Sequence, residues 1–151
     1  MPSISSLISN LQAQYPILHF VAGDDFRWSP AEATIFYNPD VTSGQPQLLH
    51  EVGHALLGHT SYQRDVELLA LETDAWEKAE ALAIPLAVTI DEDLKQDHLD
   101  TYRDWLHARS TCPACAANGY QDSATTYRCP ACQHRWRVNE ARLCGLKRYS
   151  L

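Results

Sequence analysis

The chain lacks any apolar run long enough to span a bilayer, so no membrane-crossing helix is expected. Its amino terminus lacks a charged segment followed by an apolar stretch, so no export signal is expected either, and a cytoplasmic chain is the expectation. No internal repeat or low-complexity tract is found. Cysteine is too sparse and too regularly placed for a disulfide framework. Of five cysteines, four fall in two Cys-x-x-Cys pairs, a pattern suited to metal binding in a reducing compartment. Basic residues are scarce before residue 109, where five Lys/Arg face 17 Asp/Glu. From Arg109 onward the balance reverses, with seven Lys/Arg against only Asp122 and Glu140. Hydrophobic residues nevertheless make up 45% of the 151, enough for a core and a small appendage.

The stretch that organises this composition is Leu48-Leu49-His50-Glu51-Val52-Gly53-His54-Ala55-Leu56-Leu57-Gly58-His59. On a helix, His50 and His54 lie one turn apart on one face, where both imidazoles reach a single metal ion. Glu51 projects about 100° away, placed to act as base on a metal-activated water without ligating the metal. The apolar flanks predict a largely buried helix. Two histidines and a glutamate in such a helix need a strong partner, and a metal supplies one.

A third ligand follows from the next helical segment, Asp65 to Ala83. Leu68, Leu69, Ala75, Trp76, Ala79 and Ala83 all fall within about 60° of Glu72, which therefore sits in the middle of the apolar stripe. A carboxylate there needs a metal, or a partner such as Arg64 or Tyr62. Glu72 is the choice, ahead of Asp74. His59 lies nine residues after His50, about 180° round on a continuous helix, and is expected to end the helix after Gly58. The metzincin spacing would need histidine where Thr60 stands.

The remaining segments predict a small α+β domain. Ser3 to Gln14 reads as an amphipathic helix, followed by strands at Ile17–Ala22, Phe26–Trp28 and Thr34–Tyr37. Thr34–Tyr37 is the expected edge strand, able to receive an extended peptide. After Pro85 a helix should resume near Asp91 and run to about Ala108. His98, Tyr102, Tyr37 and Tyr62 are candidates for stabilising an oxyanion, and the sequence does not choose among them.

At the carboxy terminus, Cys112-Pro-Ala-Cys115 and Cys129-Pro-Ala-Cys132 stand thirteen residues apart. Each pair supplies two thiolates, and together they make a closed, structural Cys₄ zinc site whose metal drives the folding of a small unit. Cys144 is left over and is expected to be buried. The basic residues of this ribbon, with Tyr127 and Trp136, suggest contact with nucleic acid or with an acidic protein surface. The expected organisation is a metallopeptidase domain over 1–108 and a zinc ribbon over 109–151.

The His50-Glu51-Val52-Gly53-His54 motif, followed by Glu72-Thr73-Asp74-Ala75-Trp76, resembles the ImmA/IrrE family of zinc metallopeptidases. The resemblance covers roughly residues 15 to 85. It implies a compact zincin-like fold of the gluzincin type. It also implies His50, His54 and Glu72 as ligands of a catalytic zinc, with Glu51 as general base. Members are intracellular proteases, often acting on a transcriptional regulator, so a DNA-bound protein substrate is the expectation. The chain departs from the family in Glu-x-Asp-Ala-Trp, where Glu-x-Glu-Ala-Asn is common, and in the added ribbon. A SprT-like protease, which also joins this motif to a zinc ribbon, is the second resemblance, although its third ligand is a histidine. A non-enzymatic zinc-stabilised regulator is the third reading.

Overall fold

The computed structural model describes residues 1–151 as a mixed α+β chain of four helices and two small sheets. It packs as two compact units: Met1–Ser61 with Leu71–Lys95, and Tyr62–Ala70 with Gln96–Leu151. No helix is long and apolar enough to cross a membrane.

In the first unit, α1 (Ile4–Gln14) starts where the Ser3 side chain accepts the Ser6 N–H, and it buries Leu7, Ile8 and Leu11. Three strands follow: β1 (His19–Ala22), β2 (Arg27–Ser29) and β3 (Thr34–Tyr37). Their order is β1-β3-β2, with β3 parallel to β1 and antiparallel to β2. Thr34–Tyr37 is thus the central strand, with Ile35 fully buried, and not the expected edge. Its neighbours leave it no open side. The edges are β1 and β2, and periodicity within one strand carries no record of which neighbours pair with it.

Helix α2 (Gln45–Leu56) carries Pro46 in its first turn, where a missing N–H costs nothing, and it packs on β2 and β3. Helix α3 (Asp65–Ala83) ends just before Pro85, and α4 (Glu92–Ser110) opens on Glu92 and Asp93, which suit a helix N-terminus. Leu48, Leu49 and Val52 of α2 and Ala75, Trp76 and Ala79 of α3 are all within 1% of full burial. The two helices approach closely at Gly53. A Cβ there would lie 2.5 Å from the Ala75 carbonyl oxygen, a backbone atom that cannot swing aside. An ordinary interior Gly→Ala exchange gains about 1 kcal/mol of helix propensity. We expect Gly53→Ala instead to lose about 1–3 kcal/mol in chemical denaturation, because the overpacked helices must separate. A variant as stable as the parent would show that the close approach is not needed.

The second unit is built on α4 and a four-stranded antiparallel sheet. The strands β4 (Tyr120–Gln121), β5 (Thr126–Arg128), β6 (Arg135–Val138) and β7 (Arg148–Ser150) lie in sequence order. Its core is Cys112, Tyr127, Cys129, Trp136 and Val138. Tyr127 and Trp136 pair across β5 and β6 and face inward, with 2% and 0% exposure. They are core residues here, not the exposed stacking groups the sequence suggested. Cys144 is exposed rather than buried, in the loop between β6 and β7.

Candidate metal centres

Helix α2 places His50 and His54 on its buried side, and α3 places Glu72 opposite them, 6% exposed within the stripe that includes Ala75, Trp76 and Ala79. The Glu72 carboxylate meets one histidine with each oxygen. Oε2 lies 2.9 Å from His50 Nε2, and Oε1 lies 3.3 Å from His54 Nε2. Two ligands about 2.1 Å from a tetrahedral ion sit about 3.4 Å apart, so each of these two separations is close to that of a ligand pair on one ion. His50, Glu51 and His54 also each offer a donor atom within 4.8 Å of the others.

The electrostatics of the cluster are those of closely paired imidazoles and carboxylates. Burial alone would lower the His50 pKa, but hydrogen bonds to Glu51 and Glu72, and their charges, outweigh it and push it up to about 9. Burial would raise Glu72, yet the two histidines hold its carboxyl well below the usual range. The raised His50 pKa and the lowered Glu72 pKa both come from this mutual pairing of imidazole and carboxylates. A metal must displace the imidazole proton, so uptake tightens as pH rises.

Each side chain is oriented by a further contact. His50 stacks on Trp76, with ring centroids 4.5 Å apart and 24° between planes. Glu51 Oε1 lies 3.2 Å from His50 Nδ1, and its Oε2 accepts the backbone N–H of Trp28 at 2.9 Å. Trp28 belongs to edge strand β2. Its indole N–H also donates to the His59 carbonyl at 3.0 Å.

His59 does not continue the helix. α2 stops at Leu56, and Gly58 turns the chain at φ +70°, a conformation open to glycine. This folds the His59 ring back so that its Nδ1 sits 2.9 Å from His54 Nδ1. One ring donates and the other accepts, leaving His54 Nε2 turned towards Glu72. Burial and the neighbouring His54 lower the His59 pKa, which favours the neutral form this contact needs. His59 is therefore a partner of a candidate ligand. The sequence signal for it was Gly58, which invites a turn. Of the four oxyanion candidates, Tyr37 alone belongs to this unit, and it lines a cavity with Ser3, Val41 and Gln45 at the start of α2. His98, Tyr102 and Tyr62 belong to the second unit.

In the ribbon, all four cysteines come together. Cys112 Sγ is 3.7 Å from Cys132 Sγ, and Cys115 Sγ is 3.5 Å from Cys129 Sγ. These are not disulfide distances. A tetrahedral ion bound to sulfur at about 2.3 Å would space the sulfurs about 3.8 Å apart. The two knuckles are near copies. Ala116 and Gln133, each following the second cysteine of its pair, share φ +65°. The N–H of each returns to the carbonyl of the first cysteine, at 2.9 and 3.0 Å. The N–H of Cys132 helps draw the Cys129 thiol down to about 7, with Ala131 adding to it. Cys115 has the Ala117 N–H in favour of its thiolate, but the sulfurs of Cys129 and Cys132 push it up to about 12. Four crowded sulfurs cannot all ionise without a cation, so this cluster too is fitted to hold a metal ion.

These two centres predict a stoichiometry. The full chain should bind two ions, and Glu72→Ala should bind one while the ribbon keeps its own. His59→Ala should still bind two, with weaker retention at the histidine site. Elemental analysis of the purified proteins reads this directly. A full complement in Glu72→Ala would remove Glu72 from the ligand set.

No family model, curated protein or solved structure matches this chain.

Proposed function

We propose that the chain is a zinc-dependent endopeptidase with a zincin-like catalytic unit and a structural zinc in its ribbon. The observation that carries this reading is the Glu72 carboxylate, buried in an apolar stripe and shared between both histidines of His-Glu-x-x-His. The resemblance to ImmA/IrrE peptidases supports the same set: His50, His54 and Glu72 as ligands and Glu51 as base. Two imidazole nitrogens and one carboxylate oxygen suit zinc, and three protein ligands leave a position for chemistry. A zinc ion bound there supplies Lewis acidity.

The chain's own groups do the rest. Glu51 accepts a proton at its carboxylate and returns it to the leaving amine, a role that needs a charged, fixed base. The Trp28 N–H and His50 hold that carboxylate in place. The same N–H lies on β2, whose outer edge is unpaired in the sheet. An extended peptide lying along that edge would pass beside Glu51, which already takes the Trp28 N–H, and this favours a polypeptide substrate over a small molecule. An intracellular protein, such as a transcriptional regulator, is the substrate class the resemblance suggests.

The test is a peptide library digested by zinc-loaded, chelator-treated and zinc-restored protein, read by mass spectrometry. Cleavage should fall at least about a hundredfold on chelation and return with zinc, as expected when Lewis-acid stabilisation of several kcal/mol is removed. A loaded protein that leaves the whole library intact overturns the reading.

A further inference from the structure

The ribbon sheet has two unlike faces. Tyr127, Trp136 and Val138 turn inward to the core. The strand register places Tyr120, Arg128, Arg135, Arg137 and Tyr149 together on the other face. Tyr120 pairs with Arg128, Arg128 with Arg135, and Arg137 with Tyr149, so the five form one patch across all four strands. The two tyrosines are 50% and 40% exposed. Arg137 has a ring for a partner rather than a carboxylate, its guanidinium lying 4.5 Å from the centroid of Tyr149. Asp122 offsets part of the charge, at 3.4 Å from Arg135 and 3.9 Å from Arg128. The patch stays positive in a chain whose net charge is −7, so it is no by-product of a generally basic protein.

We propose that this face binds single-stranded nucleic acid. Guanidinium groups at neighbouring register positions suit successive phosphates, and exposed rings beside them suit stacked bases. The Arg137–Tyr149 pair offers a flat guanidinium on which a base can stack. Residues 111–151 contain no helix to enter a duplex major groove, which favours an unpaired strand. An acidic peptide would use the arginines but would have little use for the tyrosines. The inference is independent of the hydrolase reading, because none of these residues belongs to the His50–Glu72 site.

The test is fluorescence anisotropy of the zinc-loaded full chain with a labelled 12-nucleotide single strand, its duplex, and a labelled poly-glutamate peptide. The single strand should bind best. Three phosphate contacts give a salt slope of about −2 in log K against log salt. Arg137→Ala should reduce that slope by about 0.7. Tyr149→Ala should weaken binding about tenfold with the slope unchanged. Both residues are exposed, and an unchanged zinc content would confirm the ribbon is folded. No binding of the single strand at low salt overturns the proposal. So does poly-glutamate binding as tightly as the strand, or a duplex preferred over it, or a Tyr149→Ala protein indistinguishable from the parent.

Discussion

Glu51→Gln should lower peptide hydrolysis by about 10²–10⁴-fold while leaving both metal ions bound. The exchange is nearly isosteric. The glutamine side-chain oxygen can still accept the Trp28 N–H that Glu51 Oε2 accepts at 2.9 Å, so the side chain should stay in place. What disappears is the charge and the basicity. Glu51 is not among the proposed ligands, which are His50, His54 and Glu72, so metal content separates loss of the base from loss of the site. The loss should fall mainly on kcat, because the base acts in the transition state rather than in holding the peptide. Steady-state kinetics on a cleaved library peptide, with elemental analysis of the same preparation, make the measurement. A variant within about threefold of the parent would mean that Glu51 serves structure only, and the chemical reading would fail.

The second large effect belongs to the ribbon unit. Asp65, at the start of α3, and Arg109, near the end of α4, are each 3% exposed. Arg109 Nε donates to Asp65 Oδ2 at 2.7 Å, and the Tyr127 hydroxyl donates to the same oxygen. Burial and this hydrogen bond raise the Tyr127 pKa, keeping it a neutral donor. Arg109 Nη1 reaches the Asn139 carbonyl at 2.7 Å, and Trp136 donates its indole N–H to the Arg109 carbonyl at 2.8 Å. One ion pair thus fastens two helical segments to β5 and β6. Asp65→Ala leaves a buried guanidinium without its counter-charge and should destabilise this unit by about 3–5 kcal/mol. Replacing both partners with apolar residues, as in Asp65→Leu with Arg109→Met, should cost less than the single change, because no buried charge is stranded. Urea denaturation followed by tryptophan fluorescence compares the three proteins. An Asp65→Ala loss below about 1 kcal/mol would place the pair among weak surface bridges and contradict its burial.

Much of the candidate site is legible in the amino-acid sequence. Ligand spacing along a helix is a local property, so the motif alone places His50, Glu51 and His54 on one turn. Glu72 stands out because helical periodicity puts a carboxylate in an apolar stripe, and the structure does bury it between the two histidines. The paired Cys-Pro-Ala-Cys knuckles are legible for the same reason, since four residues are enough to set two thiols side by side. Helices α3 and α4 also lie close to where their periodicity and terminal charges put them.

What only the tertiary structure decided is everything that depends on residues far apart in sequence. Sheet order is one case: β3 became central because β1 and β2 both pair with it, which no pattern inside four residues encodes. The region around Gly58 is another: the helix ends there as expected, and only the fold shows that the turn brings the His59 ring back against His54. Asp65 reads as an ordinary acidic residue at a helix start, and only the fold brings Arg109, 44 residues on, to meet it in a buried pair. In the ribbon, alternation says only that neighbouring residues point to opposite faces. Packing chose which face holds Tyr127 and Trp136 and which leaves Tyr120 and Tyr149 with the arginines. The sequence by itself determined the candidate ligands, because motif spacing and helical periodicity are local properties. The fold decided their partners, their burial and the exposed faces, because those are set by long-range packing.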